Sequence, residues 1–276
     1  MRCLPCLLAS AATLALTVPA AAQLRAPADP SRESYTWALG LRIDHGASYM
    51  GSNRRSTGAR PVIGLELGRF TISTGGGGSL LDFDQDLRSS SGVTARLIER
   101  GRWRLSAGLR LGGGRKSGDD AMLQGLPDVR RTLRGRLALG YDFTPDVYLR
   151  SSVNQDLLGR EGGATWLNTV NVIFRPAARS ELTLAAGFTL ADGTYMRSYF
   201  GVPAERSGVT TPLPAYRPSA GLYSTHLGLE LKTALSNHWI AFGGLGYSQL
   251  QGPARRSPLT LKSGNYSVGV GLAWRN

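Results

Sequence analysis

Cysteine is almost absent from this 276-residue chain, because Cys3 and Cys6 are the only two and both stand at its beginning. Disulfide bonds, thiolate metal ligands and a cysteine nucleophile are therefore excluded for the rest of the sequence. Histidine is also scarce. His45, His226 and His238 fall in widely separated segments, so we do not expect them to form a metal site.

Long hydrophobic runs are missing after the N-terminal segment. No later stretch approaches the roughly 18 consecutive apolar residues that a membrane-spanning helix needs. Charged residues make up only 18% of the chain, whereas about a quarter is usual for a soluble protein. These features exclude a helical inner-membrane protein and leave a membrane barrel open.

The first 22 residues have the composition of a secretory signal peptide. Arg2 gives a basic start, an apolar run extends from about Leu7 to Val18, and Ala20-Ala21-Ala22 precede Gln23. The run is too short for a membrane anchor, and small residues of this kind form a cleavage site. We predict that residues 1–22 are removed and that residues 23–276 form one domain.

Lysine is scarce as well, and nearly all of the cationic residues are arginine. The formal net charge of the chain is +13. Nucleic-acid-binding proteins are also rich in arginine, but their arginines cluster on one face. Here the arginines are spread along the sequence, and the chain is predicted to be exported. Guanidinium groups pair bidentately with phosphate, so outer-membrane lipid and lipopolysaccharide are the anionic partners that we expect. Alternatively, the arginine content reflects the base composition of the coding DNA, and the arginine side chains are simply solvated.

The segment WRLSAGLRLG, residues 103–112, places an apolar residue at every second position. Strict alternation predicts a β-strand with one apolar and one polar face. Twelve such segments occur, near residues 35–44, 61–67, 70–72, 93–97, 103–112, 133–143, 147–153, 166–174, 182–190, 223–231, 238–248 and 266–274. Short and long connections alternate between them, which is typical of outer-membrane barrels with short periplasmic turns and long extracellular loops.

The strands of a soluble barrel or sandwich would show the same alternation. The width of the closed ring distinguishes such a soluble fold from a membrane barrel. Twelve strands closed into a ring leave a lumen too wide for leucine side chains to fill. The sequence therefore predicts an all-β fold, a transmembrane antiparallel up-and-down barrel of about twelve strands with its apolar face toward lipid. The residues predicted to line its lumen are Arg42, Glu66, Arg104, Arg110, Arg134, Arg136, Asp142 and Glu230.

Motifs that resemble ligand-binding signatures are weak. Residues 82–86 open like a calcium loop, but the later glycine and glutamate of an EF-hand are missing, which leaves only loose calcium binding open. Gly112 to Ser117 lacks the ending of a phosphate loop, and we interpret it and Gly75 to Gly78 as hairpin ends. His226 near a serine or Glu230 is the one catalytic alternative. We expect no catalytic residue, no metal, no cofactor and no enzymatic activity.

Residues 194–222 contain a series of short motifs. Tyr199-Phe200-Gly201-Val202 is followed by Ser207-Gly208, then by Leu213-Pro214-Ala215-Tyr216 and by Gly221-Leu222. This order closely resembles the signature of the MipA/OmpV family of outer-membrane proteins. ASYMGS at 47–52, LQGLPDV at 123–129 and DLLGREGG at 156–163 resemble further family segments. The similarity therefore covers essentially the whole mature chain.

Two features depart from the family pattern. Residues 209–212 separate the S-G motif from the L-P motif. The chain ends in Trp274-Arg275-Asn276, whereas barrels of this kind usually finish on an aromatic residue that the assembly machinery reads. Trp274 is our candidate for that role.

The resemblance implies a non-enzymatic barrel with a structural or scaffolding role, linking a murein transglycosylase to a murein synthase. It also implies a porin-like pore or an adhesive or osmotic-response protein as other roles. The main alternative is a diffusion channel whose inward arginines favour anions. The long loop at 191–220 is either a partner-binding patch, through Tyr199, Phe200 and Tyr216, or a plug that buries these aromatic residues.

Overall fold

The computed structural model describes residues 35–81 and 91–276. Within these ranges twelve antiparallel strands close into one barrel, in which every strand pairs with its neighbours in sequence and the first pairs with the last. This confirms the predicted fold. The predicted signal peptide at 1–22 and the acidic segment at 82–86 lie outside the described residues.

The strands are β1 (Tyr35–Ala47), β2 (Arg55–Leu67), β3 (Phe70–Thr74), β4 (Gly92–Arg100), β5 (Trp103–Gly112), β6 (Thr132–Thr144), β7 (Val147–Asp156), β8 (Ala164–Ala177), β9 (Ser180–Ala191), β10 (Gly221–Ala234), β11 (Trp239–Leu250) and β12 (Gly264–Arg275). The described chain also contains three short helices, α1 (Gly78–Leu81), α2 (Gly193–Phe200) and α3 (Gly252–Arg255). None of its helices is long and apolar enough to cross a membrane.

The apolar face of each strand is the outside of the barrel. In β5, Leu109 and Leu111 are 47% and 67% exposed, whereas Arg110 between them is 9% exposed. Leu41 in β1 and Leu137 in β6 are each 54% exposed. A continuous apolar exterior of this kind is stable against hydrocarbon and not against water. Leu109 and Leu111 of β5 therefore face lipid.

The seam between β1 and β12 is completed by the last residue of the chain. The Asn276 side chain accepts a hydrogen bond from the Trp37 backbone N–H at 2.8 Å and donates one to the Tyr35 carbonyl at 3.3 Å. The Trp274 ring lies 4.8 Å from the Trp37 ring and is stacked on His238 at 5.0 Å. These rings form part of an aromatic girdle at the end of the barrel that carries both described termini.

Short turns and long loops occupy opposite ends of the barrel, as the sequence predicts. The β2–β3 and β4–β5 hairpins turn at Gly68 and Gly101, whose φ angles of 56° and 59° lie in the left-handed region that glycine tolerates. β2 begins at Arg55, six residues before its predicted start. Residues 55–60 pair with β1 but extend beyond the apolar belt, so they lack the alternation that lipid imposes.

We expect Leu137→Arg to lower the free energy of unfolding by about 2–4 kcal/mol, because it places a cation near the middle of the lipid-facing wall. Guanidinium unfolding of the protein in lipid vesicles measures this. Leu235→Arg is the matched control, since Leu235 is 59% exposed in the β10–β11 turn, outside the strands. Equal losses in the two variants would contradict a lipid-facing position for Leu137.

Candidate functional site

The eight predicted lumen residues lie on the inner face of the wall, and several of them form ion pairs. Arg42 Nε is 2.6 Å from an Asp44 carboxylate oxygen. Arg96 Nη2 is 2.7 Å from Glu66 Oε1, and Arg104 pairs with Asp142. A charge held away from bulk water is stabilised by such a partner. Acidic side chains therefore neutralise part of the cationic lumen.

One sector of the wall is nevertheless rich in cations. The inner faces of β5, β6 and β7, which are described in full, carry five arginines and two aspartates, namely Arg104, Arg110, Arg134, Arg136, Arg150, Asp142 and Asp156. Arg134 stands directly between Arg110 and Asp156 in the strand register. We call this sector the arginine wall. Its excess of positive charge favours anions inside the barrel.

An apolar cluster that includes Leu80 of α1 lies on the inner side of the barrel wall. Leu80 of α1 is completely buried, and so is Val62 of β2. The cluster joins β1, β2, β11, β12 and α1 through Ala38, Val62, Leu80, Ile240, Phe242 and Ala273. The prediction of a hairpin end at Gly75 to Gly78 was wrong, because the chain turns into the lumen at this point.

A second apolar cluster closes the extracellular end and draws residues from four loops. It consists of Leu123, Leu126, Val202 and Leu259, with Tyr49, Leu213 and Tyr216 packed against it. These residues come from the β1–β2, β5–β6, β9–β10 and β11–β12 loops. We call this assembly the loop cap.

Helix α2 adds a third cluster beneath the loop cap. Its Tyr195, Met196 and Phe200 are buried against residues at the outer ends of β9 and β11, Ala191 and Leu250. The helix begins at Asp192, whose side chain accepts a hydrogen bond from the Tyr195 N–H at 2.7 Å. Such N-caps stabilise the first turn of a helix.

Most residues of the family motif contribute to these clusters. Phe200, Gly201 and Val202 are buried, Tyr199, Ser207, Leu213 and Tyr216 are half-buried, and Gly208 and Pro214 are exposed. Val202 and Tyr216 exchange two backbone hydrogen bonds of 2.9 Å. The Tyr216 hydroxyl donates to the Pro253 carbonyl at 2.7 Å. The motif aromatics therefore hold the 191–220 loop onto its neighbours.

A buried arginine, which the sequence motifs did not single out, links the β5–β6 loop to helix α2. Arg115 is 7% exposed, and its guanidinium donates to the Tyr199 carbonyl at 3.1 Å and the Pro127 carbonyl at 3.3 Å. Burial lowers the pKa of Arg115 from its ordinary value. Its only sequence signal is an arginine in the glycine-rich stretch 112–117, which also resembles a simple turn.

Asp120 links the β1–β2 and β5–β6 loops. Its carboxylate accepts hydrogen bonds from Ser48 Oγ at 2.9 Å, from Ser52 Oγ at 3.2 Å and from the Met122 N–H at 3.1 Å. Burial acts to raise the pKa of Asp120, but these hydrogen bonds outweigh it and hold the pKa below its ordinary value. Burial, together with the Asp120 charge, also raises the pKa of Tyr49 to about 12.

The segment DLLGREGG folds around the Asp156 carboxylate. This group accepts backbone hydrogen bonds from Leu158, Arg160 and Gly162 at 3.0, 2.7 and 2.9 Å. A Cβ atom at Gly163 would lie 2.3 Å from the Tyr195 nitrogen, so only glycine lets α2 approach this loop. The segment therefore anchors α2 to the wall.

The three histidines lie far apart along the barrel. His226 faces the lumen with its Nε2 3.2 Å from Thr169 Oγ1. His45 lies near the extracellular rim beside Thr57, and His238 lies at the opposite end. In the described part of the chain, no group of three or more His, Cys, Asp or Glu side chains is arranged to hold a metal ion.

The closed ring of strands, apolar outside and cationic inside, defines a transmembrane β-barrel of the outer-membrane class. The chain belongs to the MipA family, since the family model described as MltA-interacting protein MipA matches residues 39–276. This confirms the resemblance found in the sequence. Among curated proteins, none matches this chain.

Solved structures to which the chain is similar include an outer membrane channel, a porin and an outer-membrane protein. An outer membrane channel from Pseudomonas putida F1 is 13% identical, with a TM-score of 0.47 over 90% of this chain and 100% of that one. The KdgM porin is 10% identical, with a TM-score of 0.43 over 86% and 98%. OmpT of Vibrio cholerae is 8% identical, with a TM-score of 0.37 over 88% and 97%.

We expect Phe200→Ala to destabilise the α2 cluster, and the loop cap that follows it in the chain, by about 3–5 kcal/mol, because it empties a fully buried site. Hydrogen exchange of residues 113–131 and 192–220 measures the change, which we expect to leave the strands protected. Val209→Ala in the same loop is the control, since Val209 is 77% exposed. Unchanged exchange in Phe200→Ala would show that the cap does not depend on this ring.

Acidification should loosen the cap through Asp120. Because its folded-state pKa is depressed, its stabilising contribution is present above the ordinary value of about 3.9 and is lost as pH falls through the folded-state value. We expect pepsin to cleave the 113–131 loop increasingly below about pH 4. Asp120→Asn should loosen the loop already at pH 7, measured by hydrogen exchange, whereas Glu205→Gln at an exposed site should not.

Proposed function

We propose that this outer-membrane barrel has a structural and scaffolding role in the cell envelope, without enzymatic activity of its own. In this role it links a murein transglycosylase to a murein synthase. The observation that carries the proposal is that two apolar clusters, the loop cap and the Leu80 cluster, are buried inside the barrel at different levels. A barrel built in this way offers surfaces to partners more readily than a passage to solutes. The family's description as an MltA-interacting protein supports the same role.

The surface available to murein enzymes is the periplasmic end, because the short turns of outer-membrane barrels face the periplasm. Exposed arginines stand on three of these turns, Arg69 after β2, Arg100 and Arg102 between β4 and β5, and Arg179 before β9. We call these four residues the periplasmic arginines. They offer a basic rim to partners with acidic surfaces.

The extracellular end fits a second class of partner. Arg54, Arg130, Arg131 and Arg160 are exposed there, near the outer edge of the apolar belt. Guanidinium groups at this level suit the phosphates of lipopolysaccharide. In our proposal these contacts fix the barrel among outer-leaflet lipids.

Changing the four periplasmic arginines to glutamate should abolish the capture of murein transglycosylase and synthase by the purified protein. The control changes Arg206, Arg217, Arg255 and Arg256, which are exposed at the extracellular end, to glutamate. This variant has the same change in net charge and should still capture both enzymes. If neither enzyme binds the unaltered protein, or if both variants bind equally, the scaffolding proposal or its assignment to the periplasmic rim is wrong.

A diffusion channel is the second candidate, and the arginine wall is the observation that favours it. A positively charged lumen would pass anions in preference to cations. Planar-bilayer recordings distinguish the two candidates. We expect the unaltered protein to show no sustained current, because apolar clusters are buried inside the barrel at two levels, whereas steady stepwise anion-selective currents would establish the channel.

A further inference from the structure

The barrel wall is interrupted after β3, where the chain turns into the lumen. β3 has five residues, whereas the neighbouring β2 has thirteen. The last residue of β3, Thr74, pairs with Ile63 in the middle of β2. Gly75 and Gly76 then adopt φ angles of 62° and 92°, which L side chains rarely accept, and α1 follows.

Glycine is required where this segment lies on β2. A Cβ atom at Gly75 would be 2.3 Å from the Pro61 carbonyl oxygen, and one at Gly77 would be 2.1 Å from the Ile63 carbonyl oxygen. On the β2 side, a Cβ atom at Gly64 would be 2.5 Å from the carbonyl oxygen of Gly77. The two backbones therefore touch directly, and the position of the segment inside the barrel is built into the sequence.

The contacts that hold α1 in the lumen are apolar. Leu80 is fully buried in the cluster formed by β1, β2, β11 and β12, and Leu81 packs against the same cluster. Small side chains at Ala38 and Ala273 leave room for the leucine. These four strands stand across the ring from the arginine wall. Leu80 thus occupies the apolar side of an otherwise charged lumen.

Three hydrogen bonds of this segment are short-range in sequence. The Gly77 N–H donates to the Thr74 carbonyl at the end of β3 at 3.0 Å, and the Leu80 N–H donates to the Gly77 carbonyl at 3.1 Å. The Ser79 hydroxyl donates to the Gly76 carbonyl at 2.7 Å. In the loop cap, by contrast, Arg115, Asp120 and Tyr216 join separate loops by hydrogen bonds. We therefore expect the α1 segment to release at the apolar contacts of Leu80 and Leu81.

We propose that residues 75–81 are a releasable inner plug, that Leu80 is its anchor, and that release of the plug clears the inner obstruction of the lumen along β1, β2, β11 and β12. The proposed function treats the Leu80 cluster as a fixed obstruction, and this inference goes beyond it by giving the segment a second position. The barrel thereby has two states that differ by one short element at the inner level.

Thiol labelling tests the release directly, because no cysteine occurs between residues 7 and 276. Ser79→Cys places a single thiol on α1 at a fully buried site. In lipid nanodiscs we expect a maleimide dye to label it faster than the whole barrel unfolds, through local opening. Adding Leu80→Ala should accelerate labelling at least about 30-fold, which corresponds to the low end of the loss for a buried leucine, about 2 kcal/mol.

Two controls accompany this measurement. Leu245→Ala removes a leucine from the outer face of β11, where it is 57% exposed, and should leave the labelling rate unchanged. Heat-modifiable migration on a gel verifies that each barrel is folded.

One result would overturn the proposal. Labelling of Ser79→Cys no faster than global unfolding, with or without Leu80→Ala, would show that α1 is a permanent part of the core. This result does not depend on the capture of murein enzymes, so the scaffolding role is tested separately.

Discussion

Every backbone hydrogen bond of a membrane-spanning segment must be made within the protein, because hydrocarbon offers no partner. The closed ring from β1 to β12 meets this constraint, and the Asn276 side chain extends the ladder at the seam. The same constraint reverses the usual arrangement of side chains. Leu109 and Leu111 lie outside and Arg110 lies inside, because lipid is the solvent for one face and the lumen for the other.

This reversal made the wall predictable from sequence. A period of two residues is imposed wherever a strand has lipid on one side, so the twelve strands and the inward direction of Arg104 and Arg136 follow from alternation. The prediction is weakest where lipid ends. Residues 55–60 continue β2 above the apolar belt, and their pairing with β1 has no periodic signal.

The contents of the lumen could not be predicted in the same way. Leu80 packs against Ala38 and Ala273, and Val202 packs against Leu123 and Leu259, so each cluster joins residues that are far apart in the sequence. A local pattern carries no information about such contacts. The glycines at 75–78 predict that the chain changes direction tightly. They do not indicate whether it then turns into the lumen or away from it.

A twelve-stranded ring is too wide for wall side chains alone to fill, and its apolar residues are committed to lipid. Much of the interior core therefore comes from the connections between strands. Phe200 and Val202 show this arrangement, since both are buried although neither belongs to the barrel wall. This contribution of loop residues to the core explains why several of the family motifs lie in the 191–220 loop. In a soluble domain the core lies between strands and helices, whereas here the outer face of the strands meets the membrane and the connections complete a core to which a few inward strand residues such as Val62 and Phe242 contribute.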